Sequence, residues 1–340
     1  MLAWQGHVMA RLRTVSPRSR GWTRRRAGTG FTYLDSDGAR LPADEVERIR
    51  SLAIPPAWEE VWICPVANGH IQAVGTDAAG RRQYLYHPVW RERRDREKFD
   101  RITAVASRLP AARRRVARDL ERDGTPLVKA TAAAVRLLDR GYFRIGSDTY
   151  TDENGSFGLT TLERSHVRKE RGLLVFRFVG KSSIEHVIEI DDPAAIRALE
   201  PMRRRRTTSQ RLLAYESDGR WCDLTAPDVN AYLADLLGGD LTAKDFRTWH
   251  ATVLAALSLA ESDEEGDTVT SRRRAVKAAI AEVAEYLGNT PTIAKNSYVD
   301  PRVIDEYESG QTIGVEPGRF RSPERRQTAA EKALLDLLTG

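Results

Sequence analysis

The chain of 340 residues has two cysteines, Cys64 and Cys222. They stand alone, with no CxxC and no histidine at a metal-ligand spacing. That argues against a disulfide framework and a zinc site, and a reducing compartment is the simple reading. No run approaches the ~18 apolar residues that a membrane helix needs. There is no phosphate loop of the GxxxxGK[ST] kind and no HExxH. Gly28 and Gly30 open a GxG, but Tyr33 stands where the third glycine of a dinucleotide turn would be. "ESDEEGD" at 261–267 is acidic but lacks the spacing and terminal glutamate of a calcium loop, so it reads as a solvated loop. No cofactor, metal, membrane or nucleotide partner is therefore expected, and no internal repeat is visible.

Lysine is also scarce, with 8 among 54 basic residues. The rest are arginines, which grip phosphate and guanine bidentately, so the bias suits a nucleic-acid partner. A genome rich in arginine codons would give the same ratio. The net charge is +6, and residues 1–100 carry +5 of it. "MLAWQGHVMARLRTVSPRSRGWTRRRAGTG" has no signal-peptide core. Its composition fits a transit peptide or a basic arm lying along phosphates, and the arm is preferred because a domain begins inside it.

Length suggests two domains, with three as the alternative. Residues 27–95 read as short strands and turns. "GFTYLDSDGARL" has Asp37-Gly38 between two β-prone runs, a hairpin signal. "DEVERIRSLAIPPAW" is a short helix stopped by Pro55-Pro56. "VWICP", "GHIQAVGTD" and "RRQYLYHP" read as strands. A linker is placed near 90–100. "EKFDRITAVASRLPAARRRVARDLERDG" is helical with a break near Pro110, and "TPLVKATAAAVRLLDRG" is helical to Gly141. "LTTLERSHV", "LLVFRFVG" and "SIEHVIEI" form an island of strand, with "GKSS" as a hairpin tip. Thereafter the chain reads as helical to its end, including "TAKDFRTWHATVLAALSLA", opened by a capping-box pair Thr242 and Asp245, and "RRRAVKAAIAEVAEYLG", closed by Gly288. The fold class expected is α+β. A small β-rich N-terminal domain (1–95) precedes a larger, mostly α-helical domain (96–340) with a small three-stranded sheet.

Tyr298, in "LGNTPTIAKNSYVDP", lies outside any apolar periodic pattern. Either its hydroxyl faces water or it meets something. A free phenol with a pKa near 10 is only ~0.1% ionised at neutral pH, so attack on a phosphodiester needs cations around it. Candidates exist. Arg144 sits between Phe143 and Ile145, and Lys181 stands at the hairpin tip. Lys244 and Arg247 are three apart on one helix face. Asn289 follows a helix-ending glycine. Each has a plainer reading: an ion pair for Arg144, a solvated turn for Lys181, a helix bridge for Arg247, a left-handed cap for Asn289, a surface phenol for Tyr298. His250, on an apolar helix face, reads as a satisfied core histidine.

The joint order is Arg, hairpin Lys, K-x-x-R, then Asn with Tyr nine residues on. With "RIRSLAIPPAWEEVWICP", "NGHIQAVGTDAAGRRQYLYHPVWRERRDREKFDR", "FRIGSDTY", "GLTTLERSHV", "FVGKSS", "AKDFRTWHA" and "LGNTPTIAKNSYVDP", it resembles the poxvirus and bacterial type of DNA topoisomerase IB over nearly the whole chain. The resemblance implies that residues 96–340 are the catalytic domain and that Tyr298 forms a 3′-phosphotyrosyl link to DNA, on a short mobile segment. It implies that Arg144 and Arg247 bind the scissile phosphate and that Lys181, with Lys244, protonates the departing 5′ oxygen. Asn289 stands where viral members often carry histidine. It can donate a hydrogen bond to phosphate but cannot carry a proton. On strand "RRQYLY", Gln83 and Leu85 face one way while Arg82, Tyr84 and Tyr86 face the other. Gln83, Tyr84 and Tyr86, with Arg82 beside them, match DNA contacts, although the two tyrosines could equally pack the sheet.

The activity implied is relaxation of supercoiled duplex DNA without ATP or metal, by a cytoplasmic, nucleoid-associated monomer that clamps duplex DNA. The alternatives are a tyrosine recombinase, which usually places His where Lys244 stands, and a non-catalytic duplex-binding protein.

Overall fold

The computed structural model describes residues 11–147, 151, 155–239, 241–262, 268–315 and 322–340. The chain divides into two compact units between Phe99 and Asp100.

The first unit is built on an antiparallel sheet in the order β2-β1-β3-β4-β5. Its strands are β1 (Trp22–Ala27), β2 (Gly30–Leu34), β3 (Glu59–Ile63), β4 (Ile71–Thr76) and β5 (Arg82–Tyr86), with one helix, α1 (Ala43–Ser51), between β2 and β3. Alternation along β3 gives the sheet two covered faces. Val61 and Ile63 meet Ile49 of α1, Ile54 and Ala73. Trp62 and Cys64 face the other way, with Ile71, Val74 and Val15. Both cysteines are free thiols, and burial pushes the Cys64 thiol up, which makes it inert.

Part of the expected basic arm is sewn to this sheet. Arg13 forms a bridge with Gly69, and the Trp62 indole donates to the Ser19 carbonyl at 3.0 Å. Residues 1–10 of the arm lie outside the described residues, as do 148–150 of "FRIGSDTY" and 263–267 of the acidic loop. In "GFTYLDSDGARL" the chain reverses at Asp37-Gly38 as expected, but the hairpin is short. Asp37-Gly38 closes a turn whose far side holds a single bridge, Leu34 to Arg40. Backbone bonds run from Asp35 N–H to Ala39 O at 2.8 Å and from Leu41 N–H to Tyr33 O at 3.1 Å, and the Asp35 carboxylate takes the N–H groups of Asp37 and Ala39 inside the turn. The hairpin partner of β2 is β1, paired Ala27 to Gly30.

The residues read as a linker are helical, in α2 (Pro88–Ala106). Pairs Arg93–Glu97 (3.0 Å), Lys98–Asp95 (3.4 Å) and Arg96–Glu92 (3.6 Å) at helical spacing support that polar stretch.

The second unit continues with α3 (Leu109–Leu120), α4 (Leu127–Gly141), 3₁₀ turns at Leu159–Thr161 and Arg164–His166, β6 (Val167–Glu170), β7 (Leu173–Val179) and β8 (Glu185–Ile190). Then come α5 (Pro193–Arg204), β9 (Ala214–Ser217), β10 (Arg220–Asp223), α6 (Ala226–Leu237), α7 (Ala243–Ala260), α8 (Val269–Leu287), α9 (Pro291–Ser297), α10 (Pro301–Glu308) and α11 (Pro323–Thr339). Helix α4 runs through the core, and its alanines 130 and 132–134 are fully buried. Small side chains let α3, α5, α6, α7 and the β8 and β9 strands close around it.

Two expectations fail here. "LTTLERSHV" is mostly 3₁₀ turns rather than strand. Thr161 Oγ1 bonds Gly158, Thr160 Oγ1 donates to the Ile145 carbonyl at 2.9 Å, and His166 Nδ1 accepts from Glu163, so local side-chain bonds bend the chain. The chain is also not helical throughout its second half, because β9 and β10 form a hairpin. Its two-residue turn is Asp218-Gly219, both at positive φ (50° and 71°). Asp218-Gly219 is the same Asp-Gly hairpin signal that stands at Asp37-Gly38.

Candidate active site

The site is made where helices end. Helix α4 stops because Tyr142 turns left-handed, with φ 52° and ψ 31°. That costs a non-glycine residue roughly 1–2 kcal/mol. The next residue, Phe143, is 1% exposed and lies 5.1 Å from the ring of Phe176. Burying a phenylalanine is worth about 1.5–3 kcal/mol, enough to hold the turn. Arg144 therefore leaves the core at a set place and direction. Helix α8 ends in a Schellman turn. Gly288 takes the left-handed position at φ 60°, its N–H bonds Glu285 O at 3.0 Å, and the Asn289 N–H bonds Ala284 O at 2.8 Å. The left-handed residue is Gly288, so Asn289 is not the cap. Its side chain is free to act.

These two ends meet. Arg144 Nη2 donates to Asn289 Oδ1 at 2.6 Å and to the Gly288 carbonyl at 3.2 Å. Arginine has only donors, which fixes the amide with its oxygen towards Arg144. The Asn289 NH₂ is buried and has no protein acceptor among the described residues.

Arg247 reaches the same place from α7, and it is 5% exposed. It donates to the Tyr142 carbonyl and, at 2.8 Å, to the Leu287 carbonyl. Both carbonyls belong to helix C-termini, whose partial negative charge favours a cation. No carboxylate among the described residues pairs with Arg144 or Arg247. Burial lowers the Arg247 guanidinium to about 10, and the Arg144 charge adds to the effect while the Tyr298 phenol opposes it. Burial likewise lowers Arg144, again opposed by Tyr298. Both remain cations at neutral pH. Two neighbouring, largely desolvated guanidiniums without a carboxylate are costly unless an anion is to be bound. The buried Arg247 Nε also lacks an acceptor among the described residues.

Tyr298 ends the short helix α9, with its ring 5.6 Å from the Arg247 guanidinium carbon. Its N–H bonds Ala294 O at 3.0 Å, and its carbonyl accepts from Thr252 Oγ1 of α7 at 3.2 Å. Asp300 then caps α10. The phenol is half-buried on a backbone tied on both sides, facing the cations.

Behind Arg247, one turn along α7, His250 is buried beside Asp139 at 3.3 Å. Asp139 also holds Arg113, which reaches Glu331 of α11 at 2.6 Å. Burial raises the Asp139 carboxyl, but Arg113 and His250 outweigh it and hold it far below the usual range. The His250 ring packs edge-on against Tyr142, centroids 4.5 Å apart. His250 is thus a core histidine that braces α7 against the α4 turn.

The two lysines are less enclosed. Lys244 is exposed in the first turn of α7, whose start is capped by Asp245 Oδ2 on the Thr242 N–H at 2.9 Å. Lys181 is exposed at the β7–β8 tip, beside Ser182 and Ser183 at φ 65° and 57°. The structure thus gathers Arg144, Arg247, Asn289 and Tyr298, and leaves both lysines at the solvent edge.

Sequence reasoning missed His186. It lies on β8, and burial, then Arg144 and Arg247, lowers its imidazole. The signal was available: His186 shares the inward parity of Ile188 and Ile190 two residues from the hairpin end.

In the first unit, β5 is an edge strand. Tyr84 and Tyr86 are 44% and 45% exposed with their rings stacked 6.0 Å apart, so they do not pack the sheet interior. Arg82 is exposed on the same side. Gln83 points the other way and donates to Asp77 Oδ2 at 2.9 Å. Among the described residues no three His, Cys, Asp or Glu side chains could hold a metal ion.

The sequence matches known proteins along its length. Residues 87–312 match the family described as eukaryotic DNA topoisomerase I, catalytic core, and residues 30–77 match the bacterial DNA topoisomerase IB N-terminal domain. The DNA topoisomerase 1B of Acanthamoeba polyphaga mimivirus is 29% identical over 315 residues, 87% of this chain and 90% of the viral one. That of vaccinia virus (strain Copenhagen) is 22% identical over 286 residues, 82% and 86%. DNA topoisomerase 1 beta of Arabidopsis thaliana is 26% identical over 205 residues, 59% of this chain and 21% of the plant protein.

Proposed function

The chain belongs to the type IB DNA topoisomerases, and from that premise we propose that it relaxes supercoiled duplex DNA through a covalent link at Tyr298. The Tyr298 oxygen attacks the scissile phosphorus, its proton passes to solvent water, and the P–O5′ bond breaks. The product is a 3′-phosphotyrosyl ester and a free 5′-hydroxyl. Arg144, Arg247 and the Asn289 NH₂ hold the non-bridging oxygens, whose charge grows as phosphorus becomes pentacoordinate. A single donor of this kind is typically worth ~10²–10³ in rate. Lys181, and with it Lys244, gives the leaving O5′ its proton, worth ~10²–10⁴. The new ester is about as energetic as the one broken, so the step reverses without ATP. Rotation of the cut strand between cleavage and religation releases supercoils.

One observation carries this reading. Two guanidiniums that bond helix-end carbonyls, with no carboxylate partner among the described residues, and the amide that one of them bonds converge beside the Tyr298 phenol. The stacked pair Tyr84 and Tyr86, with Arg82, forms the proposed DNA face of β5. Gln83 offers its amide oxygen, since Asp77 holds the nitrogen.

The test is plasmid relaxation by wild type beside Tyr298→Phe. The variant is expected to lose relaxation and covalent adducts while binding duplex within about twofold of wild type. A relaxing Phe variant would remove Tyr298 from the mechanism.

A further inference from the structure

Three residues proposed to act on the phosphate each follow a residue of one continuous contact. Gly180 precedes Lys181, Gly288 precedes Asn289, and Phe143 precedes Arg144. The centre of that contact is His186. A Cβ built on Gly180 would lie 2.6 Å from His186 Cδ2, and one on Gly288 would lie 2.6 Å from Cε1. Real Cβ atoms essentially never come so near, so the imidazole edge fills the space of two missing side chains. A face of the same ring stacks on Phe178, its cross-strand partner, at 5.1 Å and 21°. Phe178 in turn stacks on Phe143 at 5.9 Å and 20°.

We propose that His186 is a positioning residue whose ring, wedged between Gly180 and Gly288, sets the Lys181 hairpin against the Asn289 turn and so aims the proton donor at the leaving oxygen. The argument is steric. The β7–β8 tip is short, with Lys181 exposed directly after Gly180. The hairpin closes at Gly180 N–H to Ile184 O, 2.8 Å, which transmits the ring's position to the residue after Gly180. Burial and the two guanidiniums keep the ring neutral, so it packs there without adding a third positive charge. A donor displaced by about 1 Å loses roughly 10²-fold in rate, so a small wedge has a measurable effect.

The proposal rests on the reading of Lys181 as the acid, and its test separates the two. Single-turnover cleavage is measured on a duplex with the natural 5′ oxygen and on one whose bridging 5′ oxygen is replaced by sulfur. A thiolate leaves without a proton, since thiols ionise near 8.5, so the second substrate needs no acid. His186→Ala is expected to slow the oxygen substrate about 10- to 100-fold. It should leave the sulfur substrate within about threefold of wild type, which also shows that the variant is folded. Gly180→Ala should do the same, because its methyl group pushes the ring. The backbone at Gly180 (φ −96°, ψ −167°) itself accepts alanine. In the double variant that methyl occupies the space the ring left, so the losses should not multiply. Wild-type rates for either single variant on oxygen, equal losses on both substrates, or multiplying losses would each overturn the wedge. Lys181→Ala run alongside tests the premise. If sulfur fails to rescue it, the acid assignment falls and the proposal with it. If sulfur rescues Lys181→Ala but not His186→Ala, the acid stands and the wedge falls.

Discussion

Replacing Asn289 by aspartate changes one NH₂ to an oxygen and keeps the shape. It should move stability and activity in opposite directions. The retained oxygen already takes a 2.6 Å bond from Arg144, and ionisation strengthens such a bond about twofold. The site is half-buried, so after screening the gain is about 1 kcal/mol. For a unit of this size that raises the melting temperature by roughly 2–4 °C. No backbone strain opposes it, because the left-handed residue is Gly288. Catalysis suffers twice. The NH₂ donor is lost, at ~10²–10³ in rate. A carboxylate also stands about 5 Å from the phosphate, which at an effective dielectric near 20 costs about 3 kcal/mol, or another ~10². Thermal melts and single-turnover cleavage of a short duplex measure the two signs. A lower melting temperature would refute the picture of paired guanidiniums awaiting an anion. So would cleavage within tenfold of wild type.

Asp139→Asn should cost about 1–3 kcal/mol, because it weakens the two bonds that Arg113 donates to Asp139 while Glu331 still holds the guanidinium. Asp139 is held low in the folded state, so its contribution is complete above the unfolded carboxylate value near 3.9 and drains as pH falls below it. Acid unfolding of the variant should accordingly be flatter below pH 4. Tyr84→Ala and Tyr86→Ala should change stability by no more than about 0.5 kcal/mol while weakening duplex binding, measured by titration at several salt concentrations. The log–log salt slope, near −0.9 per phosphate contacted, should survive these changes, since neither tyrosine carries charge. Relaxation of both positive and negative supercoils should continue in EDTA, the cations being organic, and a strict magnesium requirement would contradict that.

Much of the site was legible in one dimension. Gly141, Gly288 and the Thr242–Asp245 pair marked helix ends, and Arg144, Asn289 and Arg247 stand beside such marks. Local rules reach that far because capping is decided within four or five residues. They faltered where side chains compete with the backbone, as at Thr160, Thr161 and Asp35, and where the same Asp-Gly signal had two outcomes. At 218–219 the flanking runs pair over four residues each; at 37–38 a single bridge, Leu34 to Arg40, forms on the edge of β2 that β1 leaves open. The helix over 88–96 was missed because its support is ion pairing rather than an apolar stripe.

Residue order alone determined which groups are present, that two arginines and a phenol flank helix ends, and that the bulk of the positive excess lies in the first hundred residues. It could not say that Arg247 would be buried at 5% exposure with two helix-end carbonyls for company, or that His186 would fill the space over two glycines. Those facts depend on desolvation and on contact between separate segments, as far apart as Tyr142 and Arg247. Such terms exist only once the chain has closed on itself.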